Sequence, residues 1–418
     1  MTIYSACDQE VLLKEKAVRT VVTQAFEHWD LTGKRLLVII PDGTRTMPTP
    51  LFFQLFTEVT HGKTSRLDFL VALGTHPIMS EAALCRLVGL TPTERLERYA
   101  EVGLDNHHWD QPETFATIGQ ITRQETLALS QGLLDLEVPV RVNRRLLDYD
   151  LILVCGPVFP HEVVGVSGGS KYFFPGVSGP ELIHFTHWLG ALLTCSAVIG
   201  RKHTPVREAI EKAASFIPTP RLYCCAVVKE GGLAGVYLGD PDEAWSAAAD
   251  HSSQVHVRYV DHPYRQVLSI VHPMYEDLWT GAKGMYKLEP VVADGGEVIL
   301  YAPHISELSY THGNVLRQTG YHVRDYFVKQ WERFKLYPWG VLAHATHLCG
   351  LGTYENGVEK PRIQVTVASS IPKEVLLPLN LGYRDPASIR LEEWQDRETE
   401  GILVVPHAGE ILYRLKGD

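Results

Sequence analysis

Short apolar runs alternating with capped, helix-like segments constrain this chain more than any other feature. RLLVII (35–40), DFLVAL (68–73), VPVRV (138–142) and DLILVC (150–155) are long enough for buried strands and too short for helices. Helices are predicted to open between them, at Thr49-Pro50, Ser80-Glu81 and Thr91-Pro92, and later at Thr204-Pro205, where a side-chain oxygen or a proline suits a first turn. Strand then helix, repeated, implies a mostly parallel sheet flanked by helices. At 418 residues the chain exceeds one ordinary core. The turn-rich DHPYRQ (261–266) marks a boundary, after which QVLSIV (266–271) and EVILYA (297–302) begin a second α/β unit. The expected division is 1–262, completed by 400–418, and 263–399.

Ligands of parallel sheets gather where strands end, so the following loops are the places to look. They read PDGTRTMP (41–48), GTHPIMS (74–80) and GPVFPHEVVGVSGGSK (156–171). The last continues to Trp188 as HEVVGVSGGSKYFFPGVSGPELIHFTHW and sets three histidines and one lysine around glycine-containing turns.

Several chemistries fail on spacing. GVSGGSK lacks the first glycine of a triphosphate-binding loop, and Ser167 and Lys171 are four apart where a serine-lysine acylase needs three. GVSGG has the letters of a nucleophile elbow, without a strand leading directly into the serine or a helix following at once. No GxGxxG follows a predicted strand, which stands against a nicotinamide dehydrogenase. A net charge of −10 gives no nucleic-acid-binding face. Seven cysteines without a CxxC pair argue against a disulfide framework or a structural zinc. WLGALLTCSAVIG is too short to span a bilayer, and MTIYSACDQEVLLKEK lacks the pattern of a secretory leader, so a cytoplasmic location away from membranes is expected.

His161 and Lys171 lie ten residues apart in PHEVVGVSGGSKYFFPG, and His187 lies sixteen beyond the lysine. With Asp42 and Arg45 in DGTR and His76 in GTHP, this set resembles the lactate racemase family of nickel-dependent 2-hydroxyacid racemases and epimerases. The resemblance is clear over roughly the first 200 residues and thinner beyond. It implies a nickel-pincer nucleotide, a pyridinium mononucleotide whose two sulfur-bearing arms and one ring carbon hold nickel. Lys171 would be its covalent attachment point, His187 the protein ligand to nickel, and His76 and His161 the acid/base pair. Arg45 would grip a substrate or cofactor anion, Asp42 and Thr44 would fix neighbouring hydrogen bonds, and Gly168 and Gly169 would let the cofactor come close.

In the second domain the family places a tyrosine and a glutamine before a lysine that meets the substrate. LWTGAKG (278–284) puts Trp279 and Thr280 there and leaves Lys283 as the carboxylate partner, which points to a 2-hydroxy acid larger than lactate. His304 and His312 either contact such a substrate or serve their own loop, and Trp331 or Trp339 is the tryptophan that closes the pocket. His107 and His108 are packing or domain-edge residues more often than site residues. The expected partners are a small hydroxy acid and, transiently, cofactor-synthesis enzymes, with the site in the cleft between domains. The rival from another class is a nickel- or cofactor-binding protein without turnover, which has no need of the pair His76 and His161.

Overall fold

The computed structural model describes residues 3–8, 11–44, 46–74 and 76–417. It divides into two compact units, Met1–Phe159 with Val166–Ile183 and Arg207–Val255, and Pro160–Gly165 with His184–Val206 and His256–Asp418.

In the first unit, among the described residues, seven strands make one sheet: β1 (Tyr4–Cys7), β2 (Arg35–Pro41), β3 (Arg66–Ala72), β4 (Gly103–Asn106), β5 (Leu151–Pro157), β6 (Arg221–Lys229) and β7 (Gly232–Gly239). They lie in the order β1-β7-β6-β5-β2-β3-β4. Five adjacent strands pair in parallel, β7 is added antiparallel at one edge, and β1 pairs antiparallel with β7 and so runs in the direction of the five. Unbroken apolar runs in β2 and β5 are buried throughout, as befits strands covered on both faces. Helix α1 (Glu15–His28) buries Val18, Val21, Val22, Ala25 and Phe26, an apolar stripe at helical spacing. Phe26 stacks on Phe56 of α2 (Thr49–Thr60) at 5.4 Å, and burying such a side chain contributes about 2 to 3 kcal/mol.

The order of strands reverses between β2 and β5: the chain moves one way through β3 and β4, then returns to start β5 on the other side of β2. Loops that leave such a point diverge to opposite faces and open a crevice at the strands' carboxyl ends. The loops carrying Asp42 and Lys171 leave from these two strands.

Two expectations are corrected. VPVRV enters a separate antiparallel pair, Phe115–Ile121 with Val138–Asn143, and does not join the main sheet. Its side chains alternate between buried and half-buried, with Pro139 and Arg141 on the wetter face, a pattern suited to a ribbon covered on one side. Residues 400–418 do not return to the first unit. Ile402–Ala408 pairs in parallel with Tyr264–Val271, and Leu412–Leu415 pairs with Val257–Val260.

The second unit holds a five-stranded parallel sheet of β8 (Tyr264–Val271), β9 (Val292–Ala302), β10 (Gln364–Ser369), β11 (Gly382–Tyr383) and β12 (Ile402–Ala408), in the order β11-β10-β9-β8-β12. Its helix Trp339–Cys349 is buried from Val341 on, including His344 and His347.

Candidate active site

In the first unit, Asp42 follows β2 and His76 follows β3. Asp42 Oδ2 is 2.5 Å from His76 Nδ1, and its Oδ1 accepts from the Thr44 hydroxyl at 2.6 Å and the Thr44 backbone N–H at 3.2 Å. Because the carboxylate is 7% exposed, this hydrogen bond is little weakened by water and fixes the imidazole with its hydrogen on Nδ1. Nε2 is thereby left with its lone pair. The His76 carbonyl accepts from the Trp109 indole N–H at 2.8 Å, which holds the loop. Arg45, the expected anion grip, lies outside the described residues.

The lysine loop is built as firmly. Gly168 and Gly169 adopt φ of +78° and +59°, a left-handed region that glycine enters without strain. A Cβ on Gly168 would lie 2.6 Å from Val158 Cγ2, and one on Gly169 2.9 Å from the Trp245 ring, so protein already fills the space a side chain would need. Lys171 follows in the short helical turn Gly169–Tyr172 and is half-buried. The Gly74 N–H donates to the Gly176 carbonyl at 2.8 Å, tying the histidine loop to the segment just after the lysine.

The clamp on this loop had no counterpart in the sequence reading. Arg207, 4% exposed, donates to the carbonyls of Val166 and of Gly168, the latter at 3.3 Å, and its guanidinium lies 4.2 Å from the centre of the Trp245 ring. The Trp245 indole N–H in turn donates to the Ser167 carbonyl at 2.8 Å. Ser170 Oγ donates to Glu211 at 2.5 Å and bonds the Tyr223 hydroxyl at 2.7 Å. VREAIEKAA reads only as an amphipathic helix, and nothing in it announces an arginine aimed at backbone 40 residues earlier.

His107 is a buried support. Its Nε2 donates to the Ser178 carbonyl at 3.3 Å and its Nδ1 accepts from Asn143 at 3.1 Å. Burial pushes its pKa down to about 4, so the ring is neutral. His108 is half-buried beside Asp105, at 3.2 Å.

The second unit contains His161, His187 and the Lys283 group. His161 is 6% exposed; its Nδ1 accepts the Val163 N–H at 3.1 Å and lies 3.3 Å from Glu162 Oε2. Where the ring is neutral, its hydrogen therefore sits on Nε2, the reverse of His76. Burial works to raise the Glu162 carboxyl, but the charges of His161 and Lys283 outweigh it and hold the group well below the usual carboxylate range. Glu162 thus remains an anion, a role the sequence reading did not assign. The Lys283 ammonium lies 4.8 Å from the centre of the Tyr275 ring.

His187 is half-buried on the helix Pro180–Leu193, and the adjacent Trp188 stacks on Trp331 at 5.2 Å with planes 13° apart. Trp339 packs on the other tryptophan at 5.3 Å and spends its N–H on the Lys335 carbonyl. Of the two, Trp331 is the neighbour of the His187 helix. Trp279 stacks on His344 at 3.9 Å, and the His312 ring lies 4.5 Å away with its plane tilted by 45°. The Thr280 hydroxyl donates to Asp277 at 2.7 Å and closes the turn that carries Trp279. His304 bonds the Tyr275 carbonyl at 3.1 Å and so supports its own loop.

Among the described residues, no three His, Cys, Asp or Glu side chains gather to hold a metal by themselves. No described helix is long and apolar enough to cross a membrane.

Comparison with known proteins bears on the family and the fold. A model of the lactate racemase N-terminal domain matches residues 3–198. The lactate racemase of Thermoanaerobacterium thermosaccharolyticum is 21% identical over 308 residues, and that of Lactiplantibacillus plantarum 23% over 277. These matches take in 70% and 65% of this chain and 66% and 60% of the two relatives. Among solved structures, a protein of Thermotoga maritima is 30% identical with a TM-score of 0.88, covering 98% of this chain and 100% of its own. The lactate racemase apoprotein of T. thermosaccharolyticum shares the fold at a TM-score of 0.71 and 18% identity, over 95% of this chain and 92% of its own.

Proposed function

Since the chain belongs to the lactate racemase family, we propose that it is a racemase or epimerase that inverts C2 of a 2-hydroxy acid. The observation that carries the reading is the opposite setting of two histidines. The Asp42 carboxylate leaves His76 with a bare Nε2, fit to take a proton from the substrate hydroxyl. The Val163 N–H leaves neutral His161 with its hydrogen on Nε2, and on double protonation Nδ1 would give up that contact and donate to the Glu162 anion 3.3 Å away. Inversion needs one group of each kind, and for the opposite enantiomer the two exchange roles.

The residues fit a nickel-pincer nucleotide. With no protein-only cluster of three or more donors among the described residues, a metal here has to bring most of its ligands, and the neutral imidazole of His187 suits nickel as the remaining one. Lys171 offers a half-buried amine on a loop whose shape Arg207 and two glycines impose, which suits covalent attachment. When bound, such a group supplies a hydride acceptor, so the substrate passes through a 2-oxo acid. Lys283 would hold the substrate carboxylate, with Trp279 and Thr280 shaping its surroundings, and Arg45 would meet a second anion. Trp279 and Thr280, in place of the family's tyrosine and glutamine, favour a substrate other than lactate, a larger 2-hydroxy acid. A cytoplasmic setting and transient contact with cofactor-synthesis enzymes belong to the same reading.

The test is racemisation in heavy water. Carbon-bound hydride does not exchange with solvent, so Cα stays unlabelled while the centre inverts, and substrate deuterated at Cα keeps its label. Deuterium entering Cα in step with inversion would overturn hydride transfer. In a panel of 2-hydroxy acids an aryl or sugar acid should exceed lactate in kcat/KM, and the reverse order refutes the assignment of size.

A further inference from the structure

The second unit has a cavity of about 330 Å³, separate from the residues just discussed, lined by Thr194, Ser196, Arg201, Pro290, Leu351 and Arg414 among others. Its cations are two guanidiniums, and no carboxylate is among its lining residues. Two guanidiniums on one wall favour an anionic ligand over a neutral one. Arg414 is 8% exposed, and one of its terminal nitrogens donates to the Ile199 carbonyl at 2.8 Å, which fixes the guanidinium in place. Arg201 is exposed, with no carboxylate among the described residues within ion-pair distance.

Thr194 joins the helix Pro180–Leu193 to the next turn with φ +72° and ψ 143°, a conformation a β-branched residue adopts only under constraint. The constraint places a hydroxyl-bearing residue on the wall, beside Ser196. Two guanidiniums with two hydroxyls are the donor set of an oxyanion site: the forks bond pairs of oxygens, and the hydroxyls take those left over. The volume exceeds what inorganic phosphate fills and suits a phosphate on a small organic group.

We propose that this cavity binds a phosphate monoester through Arg201 and Arg414, with Thr194 and Ser196 completing the contacts. The site lies wholly within the second unit and does not depend on the racemase reading. It gives the chain a second small-molecule input, distinct from its hydroxy acid.

Titration calorimetry at constant ionic strength tests it, with inorganic phosphate and glycerol phosphate as probes of the full chain. Both should bind saturably, glycerol phosphate the tighter, and Arg201→Gln should weaken each about tenfold or more, as loss of a charge-assisted contact does. Arg414→Gln should do the same. Because Arg414 also supports its own strand, Arg201→Gln, an exposed position, decides the matter if the other variant misfolds. Absence of saturable binding to the unmodified chain, or affinity unchanged in Arg201→Gln, would overturn the proposal.

Discussion

Replacing His107 by glutamine should flatten the acid limb of stability. The ring is buried and neutral, with both nitrogens engaged by Ser178 and Asn143, and its pKa falls from 6.5 to about 4. In the unfolded chain it titrates near 6.5. As pH falls below 6.5 the unfolded state takes the proton first, so stability is full above that value, declines between 6.5 and about 4, and levels off below. At about 1.4 kcal/mol for each pH unit, that interval is worth about 3 kcal/mol. Glutamine can donate to Ser178 and accept from Asn143 without titrating, so His107→Gln should cost only about 1 kcal/mol at pH 7.5. The assay is urea unfolding at pH steps from 7.5 to 4.5, followed by far-ultraviolet circular dichroism. Other buried histidines titrate in both proteins, and the difference between the curves isolates His107. Curves falling in parallel would refute the reasoning.

Three further outcomes are expected. Asp42→Asn should lower kcat by about 100-fold or more with little change in folding, because an amide can support the wrong ring tautomer; the kinetics of both enantiomers check it. His187→Ala in cofactor-loaded protein should lose most nickel and keep its adduct mass on Lys171, read by metal analysis beside intact-mass spectrometry. Gly168→Ala should cost about 1 to 3 kcal/mol in thermal unfolding, because alanine would have to adopt φ +78° against Val158.

The sheet of the first unit was legible where apolar runs are continuous. RLLVII, DFLVAL and DLILVC supply β2, β3 and β5, and Ser80 and Thr91 cap the helices that follow them, the latter in a reciprocal capping box. The loops after those strands carry Asp42, His76 and Lys171, so the strand ends and the family motifs together point to these residues as candidates. Partner choice was not legible. Nothing local tells Val138–Asn143 to pair with Phe115–Ile121, or Ile402–Ala408 to join β8, because strand pairing is decided by long-range packing. Arg207 was hidden because its work is done on backbone far away in sequence. His344 and His347 lie in WGVLAHATHLC, where an apolar helix gives no sign that an imidazole will stack on Trp279.

The hold of Arg207 and Trp245 on the lysine loop bears on the order of events as the chain leaves the ribosome. The loop around Lys171 draws its shape from side chains made about 36 and 74 residues later. Even β1, early in the sequence, pairs with Gly232–Gly239, more than 200 residues later. A nascent chain ending before Trp245 therefore carries the lysine without the setting that selects it among the other amines. If Lys171 carries the proposed cofactor, its attachment would follow completion of the first unit, and an enzyme delivering it would meet a finished surface, not an emerging peptide.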